Sequence, residues 1–173
     1  DRKIPQTDAH LPEAPKLQTR MIEISAGTAT LGLERNGTFG WDNEFDEMVV
    51  DVPAFSIDSL PVTNGAFLEF VETGGYHSEC YWRSEDWRWR HFENKHHPTA
   101  WCKRNGDWYY RALFDIFPLE TVASWPVYVS LAEARAYARW AGKRLPMEAE
   151  YHRAAFYGPD ERETDYPWGS MRP

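Results

Sequence analysis

Five of the nine tryptophans lie between Trp82 and Trp108, in a stretch where apolar residues keep neither helical nor strand spacing. Rings of that size are hard to bury completely in large numbers. Nine Tyr and nine Phe raise the aromatic share to 16%, and a plain helical bundle offers no aperiodic segment to hold such a cluster. The sequence therefore predicts a loop-rich domain with aromatic walls, in which residues 76–124 read as one long ordered loop. Within it, Asn105-Gly106 ahead of Trp108 predicts a hairpin turn and a strand reaching Arg111.

Regular elements flank that segment. Met21, Ile22 and Ile24, then Thr28, Thr30, Leu31 and Leu33 around Gly27 and Gly32, predict two short strands joined by a tight turn. Further strands are expected over 47–52 and 55–57, with Pro53 at an edge or bulge. Thr63 is placed to cap a helix with Ala66, Phe67, Phe70 and Val71 on one stripe, stopped by Gly74-Gly75. Ser130-Leu-Ala-Glu133 is a capping box, in which each side chain satisfies the other's free amide. The helix it starts has an expected apolar stripe of Leu131, Ala134, Ala138 and Ala141 and ends at Gly142. Pro146 is expected in the first turn of another helix, with Glu148 and Glu150 at the positive end of its dipole, ending by Gly158-Pro159.

Residues 1–19 contain Pro5, Pro12 and Pro15 and no apolar period, so they read as a linker or N-terminal arm. At 173 residues, one core over 20–173 is the economical expectation. The class is α+β, with short antiparallel strands, two to three helices and much ordered loop.

A net charge of −8 and a pI near 5.2 repel phosphate backbones, so nucleic acid is not an expected partner. No stretch approaches the ~20 apolar residues of a membrane span, and Asp1 to Arg20 carries no apolar signal core. No membrane partner is expected, and the expected location is cytoplasmic. Cys80 and Cys102 stand in no C-x-x-C arrangement, which leaves two free thiols as the expected state.

The string Trp125-Pro-Val-Tyr-Val-Ser130-Leu-Ala-Glu-Ala134, followed by Ala138-Arg-Trp140-Ala-Gly-Lys-Arg-Leu-Pro146-Met-Glu-Ala-Glu150-Tyr, resembles the signature of the formylglycine-generating-enzyme-like family, also called sulfatase-modifying factors. The similarity starts at Met21-Ile-Glu-Ile-Ser-Ala-Gly27, passes Pro61-Val-Thr-Asn-Gly65 and Gly74-Gly-Tyr76, and reaches Tyr166-Pro-Trp-Gly169. Met147 and Tyr151 depart from the Thr and Trp usual there, and Met cannot cap a helix. The resemblance implies the family's C-type-lectin-like fold. Phe39-Gly-Trp-Asp-Asn-Glu44 and the Trp-rich block after Gly75 look most like the ergothioneine-type sulfoxide synthases. Such enzymes use nonheme Fe(II) and O2 to join a thiol to the imidazole of a histidine derivative; the similar selenoneine synthases use a selenium donor. The resemblance also implies that a preceding helical domain holds the iron, and that the catalytic fold continues beyond Tyr166-Pro-Trp-Gly169. The segment thus matches the first half to two thirds of a module, with its iron ligands outside it. A formylglycine-generating oxidase, or a lectin-like binding module without catalysis, are the alternatives.

Two His and one carboxylate can hold iron with an open face. His77-Ser-Glu79 and His91-Phe-Glu93, with His96 and His97 nearby, contain those residue types. Pairs so short are common, and hydrogen-bonded or solvated histidine is the favoured reading. His152, four residues after Glu148, reads as an exposed i, i+4 pair. Asp42-Asn43-Glu44 can ligate a hard cation, although loop-fixing hydrogen bonds use the same residues more often. Tyr81, Trp82, Trp87, Trp89 and Trp101, with Arg83, Arg88 and Arg90, form the candidate cleft wall. Aromatic faces attract a quaternary ammonium, and Arg grips a carboxylate at two points. Trp82, Trp87, Trp89, Arg90 and Trp101 are thus the expected substrate-binding residues; core packing is the other reading of the tryptophans.

Overall fold

The computed structural model describes residues 18–37, 39–158 and 162–169. The expected arm therefore falls almost wholly outside the described residues, as does Pro159 of the expected helix stop. The chain divides into two compact units, one spanning Leu60–Leu145 and the other combining Thr19–Ser59 with the residues from Pro146 onward. The class is α+β, with short antiparallel sheets and, among the described residues, four α-helices.

In the second unit, β1 (Met21–Ile24) pairs antiparallel with β4 (Phe55–Asp58), and β2 (Gly27–Leu31) pairs antiparallel with β3 (Met48–Val52). The expected β1–β2 hairpin does not form. Ser25-Ala26 instead passes the chain from one two-stranded sheet to another. Helix α4 (Glu148–Phe156) packs on β2 and fixes that corner. Its Arg153 is 4% exposed and donates from the guanidinium to the carbonyls of Ser25, Ala26 and Thr28 at 2.8, 3.1 and 3.0 Å. Five donors in a rigid fork suit Arg to this task, since one side chain can bond several carbonyls at once. Pro146 precedes the α4 cap rather than sitting in the first turn. Met147 is the capping residue and makes no side-chain cap bond, but Glu150 accepts the Met147 N–H at 2.7 Å, so half of a capping box survives. His152 stacks on Phe156, with ring centroids 5.2 Å apart.

In the first unit, Thr63 Oγ1 accepts the Ala66 N–H at 3.3 Å and starts α1 (Asn64–Glu72). Gly74 takes φ 85°, a left-handed conformation costly for a side chain, and Gly75 lies so near the Phe70 ring that a Cβ would collide with it. Two 3₁₀ turns, Gly75–His77 and Glu79–Tyr81, lead into α2 (Ser84–Phe92). Then β5 (Trp101–Arg104) pairs with β6 (Asp107–Arg111), and β6 with β7 (Ile116–Pro118), all antiparallel. Asn105 and Gly106 both have positive φ, 51° and 98°, as the expected hairpin turn demands. The expected long loop is thus largely structured. It escaped a periodicity argument because α2 buries Asp86 and Arg90, so its inward stripe is charged. Helix α3 (Leu131–Trp140) begins at the Ser130 capping box as expected, with Ser130 Oγ accepting the Glu133 N–H at 3.3 Å. Its buried face is Glu133, Ala136 and Ala138, whereas Leu131 of the expected stripe is 57% exposed.

The core of this unit joins Phe67, Phe70, Tyr76, Trp82, Trp101, Tyr110, Leu119, Val122 and Ala136. Phe67 meets Phe70 and Trp101 edge-on and stacks on Tyr137 at 5.2 Å, so α1, β5 and α3 share one aromatic contact. Truncating such a buried Phe to Ala costs about 3–5 kcal/mol. Fully buried Asn64 ties α1 to β5 and to the segment 122–125 with polar bonds. Its Nδ2 donates to Val122 O at 3.0 Å, its Oδ1 accepts the Trp101 indole N–H at 3.2 Å, and its backbone N–H donates to Trp125 O at 2.8 Å. Asn at this position of Pro61-Val-Thr-Asn-Gly65 is therefore a junction for three segments distant in sequence.

Candidate functional site

Beneath the surface of the first unit lies a chain of buried polar groups. Tyr76 is wholly buried, and its hydroxyl donates to Glu133 Oε1 at 2.5 Å. The second carboxylate oxygen of Glu133 accepts from Ser130 N and Ser130 Oγ, both at 2.8 Å. Both oxygens of this 2%-exposed side chain are therefore engaged. Burial, and then the Glu133 charge, raise the Tyr76 phenol far above its ordinary value, so it stays a proton donor.

Arg90, 5% exposed, continues this polar layer. Its Nη2 lies 2.9 Å from His96 Nδ1, and His96 Nε2 lies 2.9 Å from Asn94 Oδ1. Arginine can only donate, so His96 Nδ1 accepts and the Nε2–H donates to Asn94, which fixes the neutral Nε2 tautomer. Desolvation, then the Arg90 charge, then His77, His97 and His91 lower the His96 pKa. Burial also lowers that of Arg90. The layer is incompletely satisfied: Arg90 Nε and Asp86 Oδ2 have no hydrogen-bond partner, while Asp86 Oδ1 lies 3.5 Å from Arg135.

Over this layer opens a groove of about 250 Å³, with Trp89, Lys95, Thr99, Tyr128, Ser130 and Glu133 in its lining. Helix α2 supplies Trp89, the turn after it supplies Lys95 and Thr99, and the approach to α3 supplies Tyr128 and Ser130. Lys95 Nζ donates to Thr99 Oγ1 at 2.6 Å. Tyr128 is 71% exposed, between two partly buried valines.

Of the five expected substrate-binding residues, the groove contains Trp89. Trp82 and Trp101 are 4% and 1% exposed, and their indole N–H groups are committed to Gly75 O at 2.9 Å and to Asn64 Oδ1. Trp87 is half-buried, edge-on to His91 and beneath the Arg90 guanidinium at 5.4 Å. Arg90 lies in the buried polar layer. Sequence reasoning passed over Lys95, Thr99 and Tyr128, and treated Ser130 and Glu133 only as a helix cap. Alternation in Val127-Tyr128-Val129 was the available signal, since it turns Tyr128 outward from two inward valines; Lys95 and Thr99 carried none.

The histidines are spread over separate tasks. His91 Nδ1 donates to Trp87 O, the His97 ring packs on Trp108, and His77 lies 5.4 Å from His96 between ring centroids. Among the described residues, no group of three His, Cys, Asp or Glu side chains converges as a metal site. Asp42 and Glu44 instead accept from the backbone N–H groups of Asn43 and Trp41. Cys80 is exposed and Cys102 half-buried, both as free thiols. Among the described residues, no helix is long and apolar enough to cross a membrane.

The sulfatase-modifying factor enzyme 1-like domain matches residues 7–173. The chain belongs to that family. The hercynine oxygenase of Mycobacterium tuberculosis is 40% identical over 135 residues, which cover 76% of this chain and 31% of that protein. The ergothioneine biosynthesis protein 1 of Schizosaccharomyces pombe is 30% identical over 132 residues, 76% of this chain and 15% of its own length. The formylglycine-generating enzyme of Thermomonospora curvata is 33% identical over 166 residues, 87% of this chain and 52% of the enzyme. The chain spans about a third of the length of the hercynine oxygenases it matches.

Proposed function

We propose that the chain is part of a nonheme-iron, O2-dependent sulfoxide synthase of the ergothioneine type, acting in the cytoplasm on a histidine-derived imidazole. The observation that carries this reading is its 35–40% identity to three proteins named hercynine oxygenase. Residues outside this segment supply the iron ligands. The reaction joins an imidazole C–H and a thiol S–H and reduces one O2 by four electrons. One oxygen atom ends on sulfur as the sulfoxide, and the other leaves as water. A selenium donor in place of the thiol is the sister reaction.

Within this scheme, the segment's own work is structural support and substrate contact. The aromatic core and Asn64 hold α1, β5 and α3 together, and the groove beside Trp89 offers a lined surface for a small molecule. The test is incubation of the full-length protein with Fe(II), O2, hercynine and either cysteine or γ-glutamylcysteine, followed by mass spectrometry. A sulfoxide product is expected from one donor. Absence of product from both, and from a selenium donor, would sink the reading.

A second reading, a formylglycine-generating oxidase, draws on the broader coverage of the Thermomonospora relative. It predicts conversion of a cysteine to formylglycine in a sulfatase-derived peptide by the same full-length protein.

A further inference from the structure

The geometry points to the groove beside Trp89 as a binding site for a small aromatic carboxylate, whose acid group sits on Lys95 and Thr99 and whose ring lies against Trp89 and Tyr128. The inference names the ligand class of the groove already given substrate contact above, and it rests on that reading to this extent.

Charge decides the sign of the ligand. The groove holds one acid and one base, Glu133 and Lys95. Both carboxylate oxygens of Glu133 are already taken by Tyr76 and Ser130, so it has little left to offer a ligand cation. Lys95 has no acidic partner among the described residues. Its ammonium carries three N–H donors, of which one is spent on Thr99. Because Thr99 Oγ1 accepts that bond, the Thr99 hydroxyl hydrogen remains free to donate. Two side chains four residues apart thus present donors side by side, the arrangement a carboxylate's two oxygens require. Ser130 cannot compete, since its hydroxyl hydrogen and its backbone N–H are both given to Glu133. The anion is therefore held by the lysine and threonine, and the helix terminus is already capped by its own acid.

Shape decides the rest. Trp89 and Tyr128 bring two aromatic faces to the lining, and Tyr128 leaves most of its surface open. Rings bind other flat groups by offset or edge-on contact. A volume of about 250 Å³ falls below the ~300–1,000 Å³ of drug-sized sites, which limits the occupant to the size of a single amino-acid derivative.

The experiment titrates the full-length protein with 3-phenylpropionate and, separately, with its uncharged amide, by isothermal calorimetry. A change in the acid preference on substituting Lys95 is what ties the titration to the groove. The acid is expected to bind at least about tenfold more tightly than the amide, the usual scale for a charge-assisted hydrogen bond. Lys95→Gln should erase that preference, while Tyr128→Ala should weaken both ligands alike. Circular dichroism of each variant verifies folding. Equal binding of acid and amide, no binding of either, or a preference that survives Lys95→Gln would each overturn the inference. The product assay described above can fail while this titration succeeds, and the reverse, so the two failures are told apart.

Discussion

Helices α2 and α3 each bury charge, yet they treat it differently. Helix α3 buries one acid, Glu133, and gives its carboxylate three donors, from Tyr76 and twice from Ser130. Helix α2 buries both Asp86 and Arg90, four residues apart, and leaves one polar atom of each without a partner. A buried charge stabilises a fold only when its bonding capacity is met, because an unmet buried donor or acceptor forfeits its hydration without return. By that measure α3 is fastened by its buried charge, whereas α2 merely accommodates two.

The largest expected consequence is at Glu133. Replacing it by Ala removes half of a capping box and strands the buried Tyr76 hydroxyl, at a cost of about 2–4 kcal/mol in urea unfolding. Glu133→Gln keeps an acceptor for Tyr76 and should lose less. A loss below about 1 kcal/mol for Glu133→Ala would show that α3 is held by its alanine face instead. Arg90→Met is the matching change on α2. It gives up the His96 hydrogen bond and the contact with Trp87, but it also removes an orphan donor, so the expected loss is only about 1 kcal/mol. If the two helices' variants lost equal stability, the contrast between satisfied and unsatisfied burial would collapse.

The same contrast explains what could be read in advance. Helix α3 was legible because Ser130 and Glu133 solve a local problem, the unpaired amides of a first turn, and local problems leave local patterns. The Asn105-Gly106 turn was legible for the same reason: its backbone needs residues tolerant of positive φ. Helix α2 was not, since Asp86 meets Arg135 from a helix distant in sequence, and a charged stripe reads as solvent-facing. The groove shared that fate. Trp89 could be named as a ring on a wall, but its neighbours Lys95 and Thr99 are ordinary polar residues whose meaning comes only from the approach of Tyr128 and Ser130. Trp82 and Trp101 belonged to the same cluster and turned inward, where Gly75 and Asn64 offered acceptors for their N–H groups. A third helix extends the comparison. In α4, Glu150 reaches back to Met147, but Met147 returns nothing. Met147→Thr should complete the box and add about 0.5–1 kcal/mol to stability; no gain would mean that Glu150 alone suffices.

The smallest expected effect concerns how α2 keeps Arg90 in place. His96 accepts from Arg90 only while its Nδ1 is unprotonated, and desolvation together with the Arg90 charge already lowers its pKa. A folded-state pKa below the ordinary value of about 6.5 means that the unfolded chain binds more protons as pH falls through that value. Stability from this contact is therefore present above about pH 6.5 and is lost as the solution is acidified toward the lowered folded value. His96 is solvent-exposed, so water screens the change and keeps it small. Thermal unfolding between pH 7.5 and pH 5.5 should show a shallower acid-side decline for His96→Gln, whose side-chain oxygen accepts from Arg90 at any pH. Identical pH slopes in the two proteins would mean that Arg90 is positioned by Trp87 and the helix itself, and that the histidine contact is incidental to the burial of α2.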